Sequence, residues 1–103
     1  MGDRKTTEGE IRRFVDIVVS EFNPEKIILF GSYARETNTE NSDIDIAVVV
    51  HEVDGSFIEK ETRLFEIRRG IDSRIEPVLI EGKDDKSGFL NHISSYGEVL
   101  FTR

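Results

Sequence analysis

Asp43 and Asp45, separated by Ile44, stand at the head of the apolar run DIDIAVVV at 43–50. Asp is among the residues a strand tolerates least, so two of them there call for a reason. Alternate side chains of a strand share a face, which sends both carboxylates to one side and Ile44, Ile46, Val48 and Val50 to the other. The two acids then lie about 7 Å apart along the backbone, near enough for their oxygens to converge. Like charges at that spacing repel unless a cation or a set of donors neutralises them, and convergent carboxylate oxygens suit a hard cation such as Mg²⁺. Taken alone, a D-x-D is more often a pair of exposed polar positions on a half-solvated face.

The turn upstream changes the weighing. Gly31 ends the apolar run KIILF at 26–30 and permits backbone angles that other residues avoid. Ser32 opens SYARE, which is compatible with one or two helical turns, and sets a hydroxyl beside N–H groups that have no partner within a helix. Such a terminus, aided by the helix dipole, binds phosphate oxygens. Gly31-Ser32 by itself is a routine turn and cap. A phosphate cradle and a carboxylate pair on neighbouring strand ends together describe a site for a metal-bound triphosphate.

These residues need a scaffold, and the remaining pattern supplies one. Thr7 and Glu10 have the spacing of a capping box, and Ile11, Phe14, Val15, Val18, Val19 and Phe22 recur at three- and four-residue intervals, predicting an amphipathic helix over 7–22 that Asn23-Pro24 stops. Strands are expected at 26–30 and 43–50, with the turn-forming TNTENS at 37–42 as a loop before the second. A helix over 57–71 follows, with Phe57, Ile58, Leu64, Phe65 and Ile71 on its apolar stripe, Ser56 as N-cap and Gly70 near its end. RIEPVLI at 74–80 reads as a third strand, placed near an edge or bulge by Pro77; a polar loop, a short helix at 89–96 and a last strand at 98–102 complete the chain. The expected architecture is α/β (α+β), a small mixed β-sheet with helices packed on one face, forming one domain over 1–103. Spacing leaves open whether the first two strands run parallel or antiparallel.

Composition bounds the partners. The 103 residues carry 21 acidic and 14 basic side chains, a net charge of −7, which repels phosphate backbones and anionic lipid, so neither stable nucleic-acid binding nor a membrane is expected. No cysteine is present, so disulfides and thiolate metal sites are excluded, and no apolar run reaches the length of a membrane span; a cytoplasmic location is the default expectation. Met1-Gly2 with Thr6 has myristoylation spacing but reads as an ordinary chain start. His51 and His92 lack zinc-ligand spacing, Lys83 and Lys86 belong to a solvated loop, and Phe57, Phe65 and Phe89 are expected in the core rather than in a base-stacking platform.

Gly31-Ser32, the ten residues from Tyr33 to Ser42, and Asp43-Ile44-Asp45 match the signature spacing of the DNA polymerase β-like nucleotidyltransferase superfamily, and in length and element order the chain resembles its minimal (MNT) members. The longer stretch IILFGSYAR followed by SDIDIAVVV is similar to typical members as well. Glu36 departs from the pattern, since many members carry Gly after the AR pair, and this bears on the path of the loop. The resemblance implies a palm-like fold and a third carboxylate on a later strand, for which Glu76 is the candidate; Asp72, in the turn after Gly70, is its rival. Asp43, Asp45 and Glu76 would hold Mg²⁺, two ions by the family pattern, and transfer a nucleotide monophosphate to a hydroxyl with release of pyrophosphate. Gly31, Ser32 and Arg35 would bind the phosphates of ATP or another nucleoside triphosphate, and Glu76 would help deprotonate the acceptor. Surface pairing of Arg35 with Glu36 or Glu40, and of Glu76 with Arg74, are the plainer alternatives.

The resemblance further implies a helical HEPN-type partner protein, whose tyrosine would receive AMP while this chain serves as its antitoxin. Two other readings stay open: a catalytically silent module that neutralises its partner by contact, and a small-molecule adenylyltransferase. Apolar positions on the helices at 7–22 or 57–71 could serve the partner or a homo-oligomer.

Overall fold

A computed structural model describes residues 4–39, 41–84 and 88–103. The Met1-Gly2 pattern, Glu40 and Lys86 lie outside the described residues. The first helix, α1 (Arg4–Phe22), buries Ile11, Phe14, Val15 and Val18 as its periodicity requires. It begins a turn earlier than the capping-box spacing suggests. Thr7 is therefore an interior helix residue, only 4% exposed, and its hydroxyl accepts from Arg74 Nη2 at 3.4 Å instead of capping the helix. The helix ends at Phe22 because Asn23 turns to φ 47° and Pro24 follows.

Then come β1 (Lys26–Phe30), the short helix α2 (Gly31–Ala34), β2 (Ile44–Val50), α3 (Phe57–Arg69), β3 (Ile75–Glu81), a 3₁₀ turn (Gly82–Asp84), α4 (Phe89–Tyr96) and β4 (Glu98–Thr102). The four strands form one mixed sheet in the order β3-β2-β1-β4. β1 is antiparallel to both β2 and β4, whereas β2 and β3 are parallel across the α3 crossover. The first two strands thus pair antiparallel. Pro77, which has no N–H to donate, lies as expected on an edge strand.

Alternation along the strands builds two cores. Ile27, Leu29, Ile44, Ile46, Val48, Ile75 and Leu79 pack with α1 and α3, while Ile28, Ala47, Val49 and Ile80 pack with Ile93 of α4. The long helices share one face as expected, and α4 covers part of the other, because both faces of β1 and β2 carry apolar residues beyond the functional end. In α3, Ser56 Oγ accepts from Glu59 N at 3.3 Å, as an N-cap should, but the buried residues are Leu64 and Ile67. Ile58 is 73% exposed, since at about 100° per residue it falls off the face those two define, and Phe57 and Phe89 are also exposed rather than core. Phe89 instead meets Phe30 edge to face at 5.6 Å.

The strand directions have a functional consequence. The end of β1 and the starts of β2, β3 and β4 all lie at one end of the sheet.

Candidate active site

At that end the register sets Asp45 opposite Phe30 on one side and opposite Glu76 on the other. Asp43 lies one residue before β2 and is exposed, while Asp45 is half-buried. Ile44 between them is fully buried and its N–H donates to Arg74 O at 2.8 Å, which fixes the two acids on the opposite side of the strand. Burial first, then the charge of Asp43, then that of Glu76 push the Asp45 carboxyl above the usual Asp range. Asp45 therefore feels both of the other acids, one just before its own strand and one on the neighbouring strand.

Gly31 has φ 73°, a left-handed conformation that disfavours any side chain. A Cβ there would run into Asp45 Oδ2 and stand 3.0 Å from its Cγ, so the carboxylate lies against the glycine where a side chain would otherwise be. This contact joins the Gly-Ser turn to the acid pair. Ser32 is half-exposed, and Thr37 N–H donates to its carbonyl at 3.0 Å, which holds the following loop against α2. Glu36 also adopts a positive φ of 60°, so the loop takes a glycine-favoured path even with Glu at this position.

The basic residues sort in a way the sequence did not reveal. Arg74 is committed to Asp72, through Nη2–Oδ2 at 2.7 Å, and reaches Tyr33 OH at 3.1 Å, so it does not neutralise Glu76. That engagement holds the Asp72 carboxyl below its usual range and takes Asp72 out of the candidate site; burial and Asp72 in turn push neighbouring Glu10 upward. Glu76, 41% exposed, has Arg68 Nη1 at 3.7 Å from Oε1, and Arg68 is anchored by donating to Ser73 O and Ile75 O. Arg35 stacks on the Tyr96 ring, with Cζ 3.8 Å from the centroid, and the Tyr96 hydroxyl accepts from Gly31 N–H at 3.0 Å. Sequence reading gave Tyr96 no role; it is 65 residues from Gly31 and only the β1–β4 pairing brings them together.

Among the described residues no three His, Cys, Asp or Glu side chains converge tightly enough to hold a metal ion in this conformation. The donor chemistry of Asp43, Asp45 and Glu76 nevertheless fits a divalent cation: the donors are all carboxylate oxygens, and the mutual repulsion registered at Asp45 is what such a charge relieves. A cavity of about 670 Å³ lies elsewhere, between α1, β4 and Tyr33, and none of the three carboxylates lines it.

Residues 13–103 match the family described as polymerase beta, nucleotidyltransferase. A protein of Methanocaldococcus jannaschii, MJ0604, provisionally named a protein adenylyltransferase, is 34% identical over 98 residues, which cover 91% of this chain and 97% of that one. Among solved structures, a toxin-antitoxin with AMP-PNP shares 24% identity and a TM-score of 0.64 over 87% of this chain and 72% of its own. A variant of the toxin-antitoxin MntA-HpeT gives 22% and 0.67 over 91% and 73%. At those identities the two structures speak for the fold.

Proposed function

The chain belongs to the polymerase beta nucleotidyltransferase family, and from that premise we propose that it transfers AMP from ATP to a tyrosine hydroxyl of a helical HEPN-type partner protein, acting as that partner's antitoxin. The observation that carries the reading is the pairing of Asp45 with Glu76 across the parallel β2–β3 ladder, directly beside the Gly31-Ser32 turn. The provisional name of the M. jannaschii relative supports a protein acceptor.

In this reading Asp43, Asp45 and Glu76 would hold Mg²⁺, which would supply charge neutralisation at the phosphates and acidity at the acceptor hydroxyl. Ser32 and the backbone N–H groups of 32 and 33 orient the β- and γ-phosphates, the Gly31 N–H being engaged by the Tyr96 hydroxyl, and Arg35 adds charge-assisted hydrogen bonds to them. Glu76 accepts the phenolic proton as the tyrosine oxygen attacks the α-phosphorus, and the bond to the β-phosphate oxygen breaks to release pyrophosphate.

The deciding experiment incubates the protein with labelled ATP, Mg²⁺ and the product of the neighbouring gene, and weighs both proteins intact. The expected result is a gain of one or more AMP units on the partner, lost in Asp43→Ala with Asp45→Ala. Neutralisation of the partner by that double variant, without any mass gain, would leave a contact-only module.

A further inference from the structure

Tyr96 is the last residue of α4 and meets two separate parts of the nucleotide-binding turn at once. Its hydroxyl receives the Gly31 N–H at 3.0 Å, and its ring carries the Arg35 guanidinium on one face, 3.8 Å from the centroid. His92, one helical turn earlier, packs against the same ring with centroids 5.5 Å apart and planes inclined at 65°. Gly97 makes this placement possible. A Cβ at Gly97 would stand 2.5 Å from Ile93 O, 2.6 Å from Ile28 Cγ2 and 2.9 Å from Leu29 O, so only glycine lets the end of α4 press this closely onto β1. Among the described residues no carboxylate pairs with Arg35, although its stem is exposed and acids are plentiful in the chain. An exposed arginine otherwise samples many rotamers, and stacking on an aromatic face restricts it while its in-plane N–H donors stay available.

We propose that Tyr96 is a positioning residue for the triphosphate: its ring holds Arg35, and its hydroxyl tethers that ring to the Gly31 turn, so that Arg35 is already aimed when ATP arrives. The inference rests on the nucleotidyltransferase reading above and adds to it a residue outside the motif. Restricting Arg35 beforehand lowers the ordering penalty of binding, which appears as affinity.

The test is MgATP binding by calorimetry to the full chain and to Tyr96→Phe, Tyr96→Leu, Arg35→Met and the Arg35→Met/Tyr96→Leu pair, with melting curves to establish that each is folded. Tyr96→Leu should weaken MgATP about tenfold, the scale of one partly desolvated cation–π contact, and Tyr96→Phe should recover most of that. In the Arg35→Met background Tyr96→Leu should do nothing further, because its effect acts through Arg35. Additive losses, no recovery by Phe, or wild-type affinity in Tyr96→Leu would overturn the assignment while leaving the nucleotide site standing. Absence of magnesium-dependent ATP binding by the wild type would overturn both.

Discussion

Replacing Asp45 by Asn should make the metal-free protein more stable, not less. Asp45 is half-buried, with Asp43 two residues away on the same face and Glu76 beside it in the ladder, and burial and both charges push its carboxyl upward. Two unit charges about 7 Å apart repel by about 2 kcal/mol at an effective dielectric of 20 and by well under 1 in bulk water; for partly exposed groups about 1 kcal/mol is the reasonable figure. Glu76 adds a similar amount, reduced by Arg68. The variant should therefore gain roughly 1–2 kcal/mol near neutral pH in chelator, a rise in melting temperature of roughly 4–12 °C for a domain of this size. The sign follows from linkage. A carboxyl whose folded pKa is raised gives stability that is fully present below its unfolded pKa and is lost as pH rises through the folded pKa, so the advantage of Asn should grow from acid to neutral pH and vanish below the ordinary Asp range. Magnesium should reverse the order at a hundred times the dissociation constant, where it stabilises the wild type by about 2.7 kcal/mol and the variant by far less. Melting curves from about pH 3 to 8 in chelator, and near neutral pH with MgCl₂, read all of this. An Asn variant that melts at or below the wild type in chelator, or that gains as much from magnesium, would refute the account of these acids as a strained cation site.

Three other substitutions probe the surroundings. Gly31→Ala combines a positive φ with a collision at Asp45 Oδ2 and should lower stability by about 1–3 kcal/mol in urea unfolding, and abolish MgATP binding as well. Gly97→Ala meets two backbone carbonyls and Ile28, so it should destabilise by about 2 kcal/mol or more, and a neutral result by thermal melting would mean α4 does not sit on β1 as described. Arg74→Leu leaves the largely buried Asp72 facing Glu10 without its cation and should lower stability by about 2 kcal/mol at pH 7. Because Asp72 is held below its usual range, its contribution is present above the unfolded Asp pKa and lost as pH falls through the lower folded value, so the Arg74→Leu deficit should shrink in acid, as chemical denaturation at pH 7 and pH 3 can check.

What was legible in the sequence is what short-range periodicity encodes. Period-two alternation placed Asp43 and Asp45 on the side opposite Ile44 and Ile46, and the three- and four-residue recurrence of Ile11, Phe14, Val15 and Val18 marked the buried face of α1. Relations between distant segments were not legible. Nothing local says that β1 and β2 run antiparallel, that Glu76 falls opposite Asp45, or that Tyr96 reaches back to Gly31. Thr7 shows how a local signal misleads. Thr7 and Glu10 have capping-box spacing, yet a half-buried arginine from far along the chain, Arg74, takes the threonine hydroxyl, and the helix runs on through it. The stripe expected over 57–71 held at Leu64 and Ile71 and failed over the first turn of α3, where Phe57 and Ile58 are exposed.

The electrostatics at Asp45 also bear on the choice between catalyst and silent module. A protein that only covers its partner needs a stable α/β scaffold, and at this position any neutral strand former would serve that end better than a half-buried acid facing two others. Gly31 sharpens the point. Its left-handed backbone disfavours a side chain, and the Asp45 carboxylate occupies the space a Cβ would take, so two unfavourable local choices, from separate segments, fit one another. Local rules broken together at one end of a sheet, beside a turn able to meet phosphate, are what a site for cation and nucleotide demands and what a contact surface does not.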